Sequence, residues 1–575
     1  MVQIDDITIL HFNDVYHISD AAHVARFASV FADPRHVTGE ASVPKHQLRI
    51  FSGDAFSPSL EASVLRGEHM PALLNALNID VACYGNHDFD FGEARLIDLS
   101  ERTSFPWTLA NAVRKQPIGQ HDSKLLARAH EHVIRDIAGY KIGFLGLAGT
   151  CDILNPADIA QGTARRLRQR ENCDLVIALT HMRLAEDIAV AHATRSGEGW
   201  INLLLGGHDH NVVQRASTDD ETNPDVAQQG VPPTDAAATD YQGDVRIVKS
   251  GTDWRGLSII RLSVARLPDN SVSILNVKRE KLQPSLLPST LNARGTKADY
   301  SVKQIADLTQ MPNYNDIPLC PNTLKIISDV HVKIEKLVEA PLLMTDIALE
   351  GRSQIVRSQE ANLGNMLADA VRASYDADIA FVNSGAIRCD RIIHAQPNQP
   401  LRIRDVIDIS PFDNAFVVKR VSGRVLVEAF ENSVSAAHAV GRFLQVSGVR
   451  IVADWSRPEG HRIDGPPQAM GAERMYTVAM VDFIASGFDG YRCFQDTETL
   501  VDAEGAMTDT NLLLQVFGAT PAEDSGGVGG TDRSTVGIQR AKESIIRRRH
   551  SDNQLPVISP LIEGRIRFVN SSPSL

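Results

Sequence analysis

Seven side chains in the first 210 residues have types suited to holding cations: Asp14, Asp54, Asn86, His87, His181, His208 and His210. All follow short apolar runs. Ile7–Leu10 leads into His11-Phe12-Asn13-Asp14, Leu48–Phe51 into Ser52-Gly53-Asp54, and Val81–Tyr84 into Gly85-Asn86-His87-Asp88. Leu175–Leu179 leads into Thr180-His181, and Leu203–Leu205 into Gly206-Gly207-His208-Asp209-His210. Carboxylate and amide oxygens suit hard divalent cations, and imidazole nitrogen adds affinity for borderline metals. The mixture fits zinc, manganese, iron or cobalt better than calcium. A carboxylate shared between two such ions gives a clamp for in-line displacement at phosphorus.

Each motif alone is ordinary. An aspartate after a strand is usually a turn residue or a helix cap, and a single histidine is usually satisfied in the core or at the surface. Asn86-His87-Asp88, however, is poor core material directly after an apolar strand. His208 and His210, two apart on an extended segment, project to one side. The five motifs together resist the ordinary reading.

The elements that must position these residues are short strands alternating with helical stretches such as Met70–Leu77, apolar on one side. That alternation implies a buried α/β sheet, with ligands at its strand ends. Residues 214–243, rich in Thr, Asp, Gln, Pro and Ala and without a period, read as an exposed insertion. Strands resume at Asp244–Val248. The first domain runs over 1–320, and an amphipathic helix at 321–339 (Leu324, Ile327, Val330, Ile334, Leu337) joins it to a second domain over 340–520. That domain has a helix at Leu363–Ser374 and a strand at Asp378–Val382. Ser525–Gly530 reads as a linker within a tail, 521–575, whose patch Ile545–Arg549 reads as a solvated basic helix face.

At 575 residues, with 43% hydrophobic and 22% charged residues, the chain has the make-up of a multi-domain globular protein. A net charge of -13 argues against a long nucleic acid as partner. It leaves room for a small anionic substrate where metals reverse the local field. Six scattered cysteines without a CxxC pair favour a reducing compartment. The amino terminus enters a strand with no basic or apolar leader, and no apolar stretch reaches bilayer-spanning length. A cytoplasmic location without membrane association is the expectation.

Asn13-Asp14, Gly53-Asp54, Gly85-Asn86-His87, Thr180-His181 and Gly207-His208-Asp209-His210 stand in the order found in calcineurin-like metallophosphoesterases. The second half resembles the carboxy-terminal domain of 5'-nucleotidases, so residues 7–517 together resemble the 5'-nucleotidase family. The resemblance implies a four-layer αββα sandwich followed by an α/β substrate-binding domain. It also implies two divalent metal ions, one held by Asp14, Asp54 and His210, the other by Asp54, Asn86, His181 and His208. His87 would then be catalytic and oriented by Asp90, while Asp88 stands where the family commonly has Glu and is assigned no role. One position departs from the pattern. Most members read Asp-x-His in the first motif, whereas this chain reads Asp14-Val15-Tyr16-His17. His17, Tyr16 or water could each complete the first metal's shell.

In the second half, Asn383–Arg388 is a glycine turn that aims Arg388 from a strand end, and Arg357 precedes a helix start. Guanidinium forks suit phosphate or carboxylate. The resemblance makes Arg357 and Arg388 anion-binding residues, with Arg352 a displaced match. It makes Phe412 and Phe483 two faces of a nucleobase clamp, Asn414 a contact to the base edge, and Asp489 an acceptor for the ribose hydroxyls. Since these residues and the metals lie on different domains, turnover needs them brought together, and the 321–339 helix is the candidate hinge. The expected function is hydrolysis of nucleotide phosphate esters by a metal-bound hydroxide. A 2',3'-cyclic phosphodiesterase with 3'-nucleotidase activity and a UDP-sugar pyrophosphatase use similar motifs. A nucleotide-binding protein with a decayed metal site is the reading from another class.

Overall fold

Alternation along the first strand sets the architecture of the amino-terminal half. In β1 (Ile4–Phe12), Ile7 and Ile9 pack into one buried cluster, and Leu10 and Phe12 into another. A strand apolar on both faces must be covered on both. The computed structural model describes residues 4–113, 125–149, 154–215, 246–266, 272–275, 300–396, 399–412, 414–435, 440–463, 471–518 and 533–569. The insertion expected at 214–243 lies almost wholly outside them, as does the expected Ser525–Gly530 linker.

The following strands are β2 (His46–Phe51), β3 (Val81–Cys83), β4 (Trp107–Thr108), β5 (His132–Ile137), β6 (Tyr140–Ala148), β7 (Leu175–His181) and β8 (Leu203–Gly207). They continue with β9 (Val212–Gln214), β10 (Ile247–Ser250), β11 (Leu257–Arg266), β12 (Val272–Leu275) and β13 (Tyr300–Ile305). One sheet has the order β12-β11-β1-β2-β3-β4, with β13 also on β11. The other has the order β5-β6-β7-β8-β10-β9. Pairings β1–β2–β3–β4 and β6–β7–β8–β10 are parallel. The inner faces meet through Ile7, Ile9, Ile50 and Val81 on one side and Ile142, Phe144, Ile177 and Leu205 on the other. Helices Ala21–Ala32 and Met70–Ala76 cover the outside of the first sheet, and Pro156–Gln169 and Leu184–Ala193 the outside of the second. This is the four-layer αββα sandwich.

The chain divides into two compact units. One comprises Met1–Ser57 and Arg66–His331, the other Pro58–Leu65 and Val332–Leu575. The helix Pro321–Leu337 therefore contributes to both, and a short segment from the first half, helix Leu60–Leu65, belongs to the second unit. That unit has a five-stranded sheet, ordered 444–447, 379–383, 475–481, 416–422, 498–501. Ala380 and Val382 face one core, Ile379 and Phe381 another, again the two-residue period of a strand buried on both sides.

Within the segment 521–575, expected as a tail, residues 533–569 supply framework to this unit. Helix Arg533–Ile545 buries Ile538, Ala541 and Ile545 in the core that includes the helix Asn362–Tyr375. Ile546–Arg549, expected as a helix face, is a strand. Its partner Pro556–Ile558 lies between it and Pro341–Thr345, so pairing overrides the helical propensity of three arginines. Ile566–Val569 adds to Ile451–Asp454, and Arg565 forks both oxygens of Asp369 at 2.8 Å. A chain ending at residue 518 should therefore lose cooperative unfolding of the second unit in calorimetry. An unchanged transition would make the segment dispensable.

Candidate metal centre

The parallel strands β1, β2, β3, β7 and β8 end at one edge of the sandwich, where their carboxyl ends deliver the five motifs. Asp14 and Asp54 are fully buried, and each commits one carboxylate oxygen to the surrounding backbone. Asp14 Oδ2 accepts from the His208 amide at 3.0 Å and from Asn13 Nδ2 at 2.5 Å, and Asp54 Oδ1 accepts from the His87 amide at 2.9 Å. The other oxygens turn to a common point. His181 Nε2 is 3.0 Å from Asp54 Oδ2 and 3.8 Å from Asp14 Oδ1, and His210 Nε2 is 3.4 Å from Asp14 Oδ1. Asp14, Asp54 and His181 form a group able to hold a metal ion. His208 joins through Nδ1, 3.0 Å from Asn86 Oδ1.

Close approach is built into the backbone. Asp14, Asp54, His208 and His210 all have positive φ, at 53°, 61°, 80° and 57°. Such conformations cost about 1–3 kcal/mol each for non-glycine residues and persist where surrounding structure enforces them. A Cβ on Gly85 would lie 2.1 Å from Asp54 Oδ1, and one on Gly207 would lie 2.6 Å from the Ser52 carbonyl. Only glycine admits these approaches.

The donor set fits metal binding. Ser52 O lies 2.7 Å from His181 Nδ1, so a proton donated there leaves the Nε2 lone pair toward the carboxylates. Buried His208 Nε2 lacks a hydrogen-bond partner, and the approach of His181 Nε2 to Asp54 falls outside hydrogen-bond geometry. Such buried nitrogens are costly unless they bind something. Burial holds His208 down at about 3, in the neutral state a ligand requires. Burial would lower His181 too, but Asp54 and Asp14 outweigh it and hold it up to about 10. The two carboxylates thus favour a positive charge at this point. His87, 3% exposed, has Nδ1 3.0 Å from Asp90 Oδ2, and its ring meets that of Tyr16 edge-on.

Two supports carry no role in the reading of the sequence. Asp88 accepts four backbone amides, from Ala55 and Phe56 on Oδ1 and from Asp54 and Gly85 on Oδ2, at 2.8–3.2 Å. It therefore fixes the turn that aims Asp54, although burial and nearby Asp54 raise its carboxyl to about 6. Lys249 is buried in β10 and donates to the carbonyls of Met182 and Gly207 at 2.7 and 2.8 Å and to Asp209; Asp187 adds charge at 2.7 Å. It thereby ties the residue after His181 to the loop carrying His208 and His210. A charged residue inside the apolar run Ile247-Val248-Lys249 was the available signal.

In the second unit, Arg388 lies over the Phe412 ring at 4.8 Å, and Phe412 is 51% exposed. Phe483 stacks on Phe488 at 4.9 Å and 14°, and both are exposed. Asp489 follows with φ 54° in a turn flanked by Gly487 and Gly490. The Asp509 amide donates a hydrogen bond to the Asn414 carbonyl at 2.9 Å. Arg357 Nε is buried without a partner, whereas Arg352 is forked to Glu350. Each exposed ring thus has its own partner, Arg388 for Phe412 and Phe488 for Phe483, and Phe488 had been given no role.

Lys249→Met should strand Asp187 as a buried charge and leave Asp209 without its cation. Removing one partner of such a group costs about 3–5 kcal/mol, readable by equilibrium denaturation. A loss below about 1 kcal/mol, the scale of an exposed pair, would show that the lysine is not needed.

Residues 7–212 match the family model of calcineurin-like phosphoesterases, and residues 343–496 that of the 5'-nucleotidase C-terminal domain. The trifunctional nucleotide phosphoesterase protein YfkN of Bacillus subtilis is 25% identical over 542 residues, covering 85% of this chain and 32% of its own length. The chain therefore spans about a third of that relative. The 5'-nucleotidase of Bos taurus is 24% identical, with 87% of this chain and 86% of the bovine protein covered. Among solved structures, the NAD nucleotidase of Haemophilus influenzae matches 99% of this chain and 100% of its own, with a TM-score of 0.64 at 18% identity, a likeness of fold. With both domain models matched in order and relatives aligned across both, the chain belongs to the 5'-nucleotidase family of metallophosphoesterases.

Proposed function

We propose that this protein hydrolyses phosphate esters of nucleotides, with a nucleoside monophosphate as the preferred substrate class. The observation that carries the reading is the convergence of Asp14 Oδ1, Asp54 Oδ2, His181 Nε2 and His210 Nε2 within 3.0–3.8 Å contacts, beside the His208–Asn86 pair. Two divalent ions held by Asp14, Asp54, Asn86, His181, His208 and His210, with Asp54 shared, would activate water at neutral pH and neutralise phosphate oxygens. The chain's own residues do the rest. Asp90 fixes His87 through Nδ1, which leaves Nε2 as the atom that holds a proton for the phosphate or the departing alkoxide.

The nucleoside part is assigned to the second unit. Phe412, on a turn, and Phe483, in the one-turn helix Asp482–Ala485, are exposed rings suited to stacking a base, a contact worth about 1–3 kcal/mol. Arg357 and Arg388 would hold the anionic part, Asn414 the base edge and Asp489 the ribose hydroxyls. Both the nucleotide phosphoesterase and the 5'-nucleotidase names of the relatives agree with this class. The ions are proposed to come from zinc, manganese, cobalt and iron. A reducing, cytoplasmic setting is proposed on the cysteines, since Cys83, Cys173, Cys320, Cys389 and Cys493 are all unpaired. Among the described residues no helix is long and apolar enough to cross a membrane.

Phosphate release from AMP, UDP-glucose, ATP and 2',3'-cyclic AMP, with each metal added in turn, tests the reading. AMP should be turned over most efficiently; no release from any of the four would end it. His87→Ala should lower kcat by roughly 10²-fold or more with metal content intact, and unchanged kcat would remove the His87–Asp90 pair from the chemistry. Phe483→Ala should raise KM for AMP far more than for p-nitrophenyl phosphate. Equal effects on the two substrates would dissolve the base clamp.

A further inference from the structure

The first motif offers two adjacent side chains, Tyr16 and His17, for one place beside Asp14. Their surroundings differ sharply. His17 is 49% exposed at its side chain, and Nδ1 is bound to Asp253 Oδ2 at 2.8 Å. The amides of Tyr16 and His17 both donate to Asp253 Oδ1, and Trp254 Nε1 donates to the His17 carbonyl at 2.8 Å. Four hydrogen bonds thus hold the imidazole outside the carboxylate cluster. Tyr16 is only 4% exposed, and its hydroxyl enters the cluster. The oxygen lies 3.0 Å from Asp14 Oδ1, 3.3 Å from Asp54 Oδ2 and 2.8 Å from His210 Nε2.

We propose that Tyr16 is a ligand of the first metal, and that this oxygen-rich shell selects a hard cation, iron(III) before zinc. The proposal rests on the two-metal reading above and deepens it, with a trivalent ion in place of one of the two divalent ions. Ligands at about 2.0–2.2 Å from one ion stand about 2.9–3.5 Å from each other in tetrahedral or octahedral shells. The contacts among Tyr16, Asp14, Asp54 and His210, including 3.4 Å between His210 Nε2 and Asp14 Oδ1, run from 2.8 to 3.4 Å. A phenol has one proton and can donate to only one of the two carboxylates, so hydrogen bonding alone leaves an acceptor facing an oxygen. A cation among the four donors satisfies all of them. On ligation the phenol O–H bond breaks, its proton leaves to solvent, and the oxygen lone pair forms the bond to the metal. Three oxygens and one nitrogen make a harder set than the family's histidine would give, which moves preference from zinc toward iron(III).

The test uses the full chain, stripped with chelator and loaded with iron alone, then oxidised in air. A phenolate bound to iron(III) gives a charge-transfer band in the visible and tyrosinate ring modes in resonance Raman, neither of which depends on activity. The wild type should show both. Tyr16→Phe should lose them, bind iron at the first site about tenfold or more weakly, and keep its unfolding midpoint and one equivalent of metal. Tyr16→His should be colourless and shift the first site toward zinc. Iron-loaded wild type without a band, or Tyr16→Phe with unchanged first-site affinity, overturns the proposal. If such a wild type still takes up two ions and releases phosphate from AMP, the ligand assignment falls alone. If it takes up no metal of any kind, the phosphoesterase reading falls with it.

Discussion

Two carboxylates, Asp14 and Asp54, are buried without solvent and face the same point. Buried charge is tolerated only when paired or ligating, and the cationic counterweight among nearby side chains is imidazole. The rest of the edge is shaped to maintain this costly arrangement. Four residues at positive φ, and glycines whose Cβ would strike a neighbour, bring the loops close enough for the donors to meet. The strain is spent at strand ends, where the parallel ladders of two sheets hold the loops in place.

A second charged cluster a few residues away shows the contrast. Asp187 is also buried and Asp209 half-buried, but they are answered within the chain by Lys249, whose charge they sustain against burial. That cluster is closed and serves as a strut between the loops after β7 and β8. The Asp14–Asp54 cluster is open, with lone pairs directed inward and, among the described residues, no lysine or arginine in ion-pair contact with it. Asp88 has an intermediate character. It is a carboxylate satisfied almost entirely by backbone amides, the usual way a buried acid fixes a turn. Ligand geometry, strut and turn therefore form one mechanical unit, and the chemistry proposed for His87 depends on all three.

The second unit follows a different logic. Its exposed aromatics sit on a turn and on single turns of helix, and the strand faces of its sheet are packed by two cores, so the rings are surplus to stability. Phe488 behind Phe483 gives one ring a backing and limits its rotamers, which lowers the ordering cost of stacking a base. Arg388 plays a comparable part against Phe412.

The amino-acid sequence by itself determined the alternating α/β plan, the strand-end position of Asp14, Asp54, Asn86, His181, His208 and His210, and the three-residue spacing of His87 and Asp90. These depend on local period and on neighbours along the chain. Tertiary structure alone decided which of Tyr16 and His17 enters the cluster, because the choice between the two neighbours is made by Asp253, more than 230 residues distant. It likewise decided the duties of Asp88 and Lys249, and turned the arginine-rich 546–549 run into a strand beside residues 556–558. In each case the deciding force is a long-range partner, a carboxylate, an amide set or a strand edge, that no local pattern encodes.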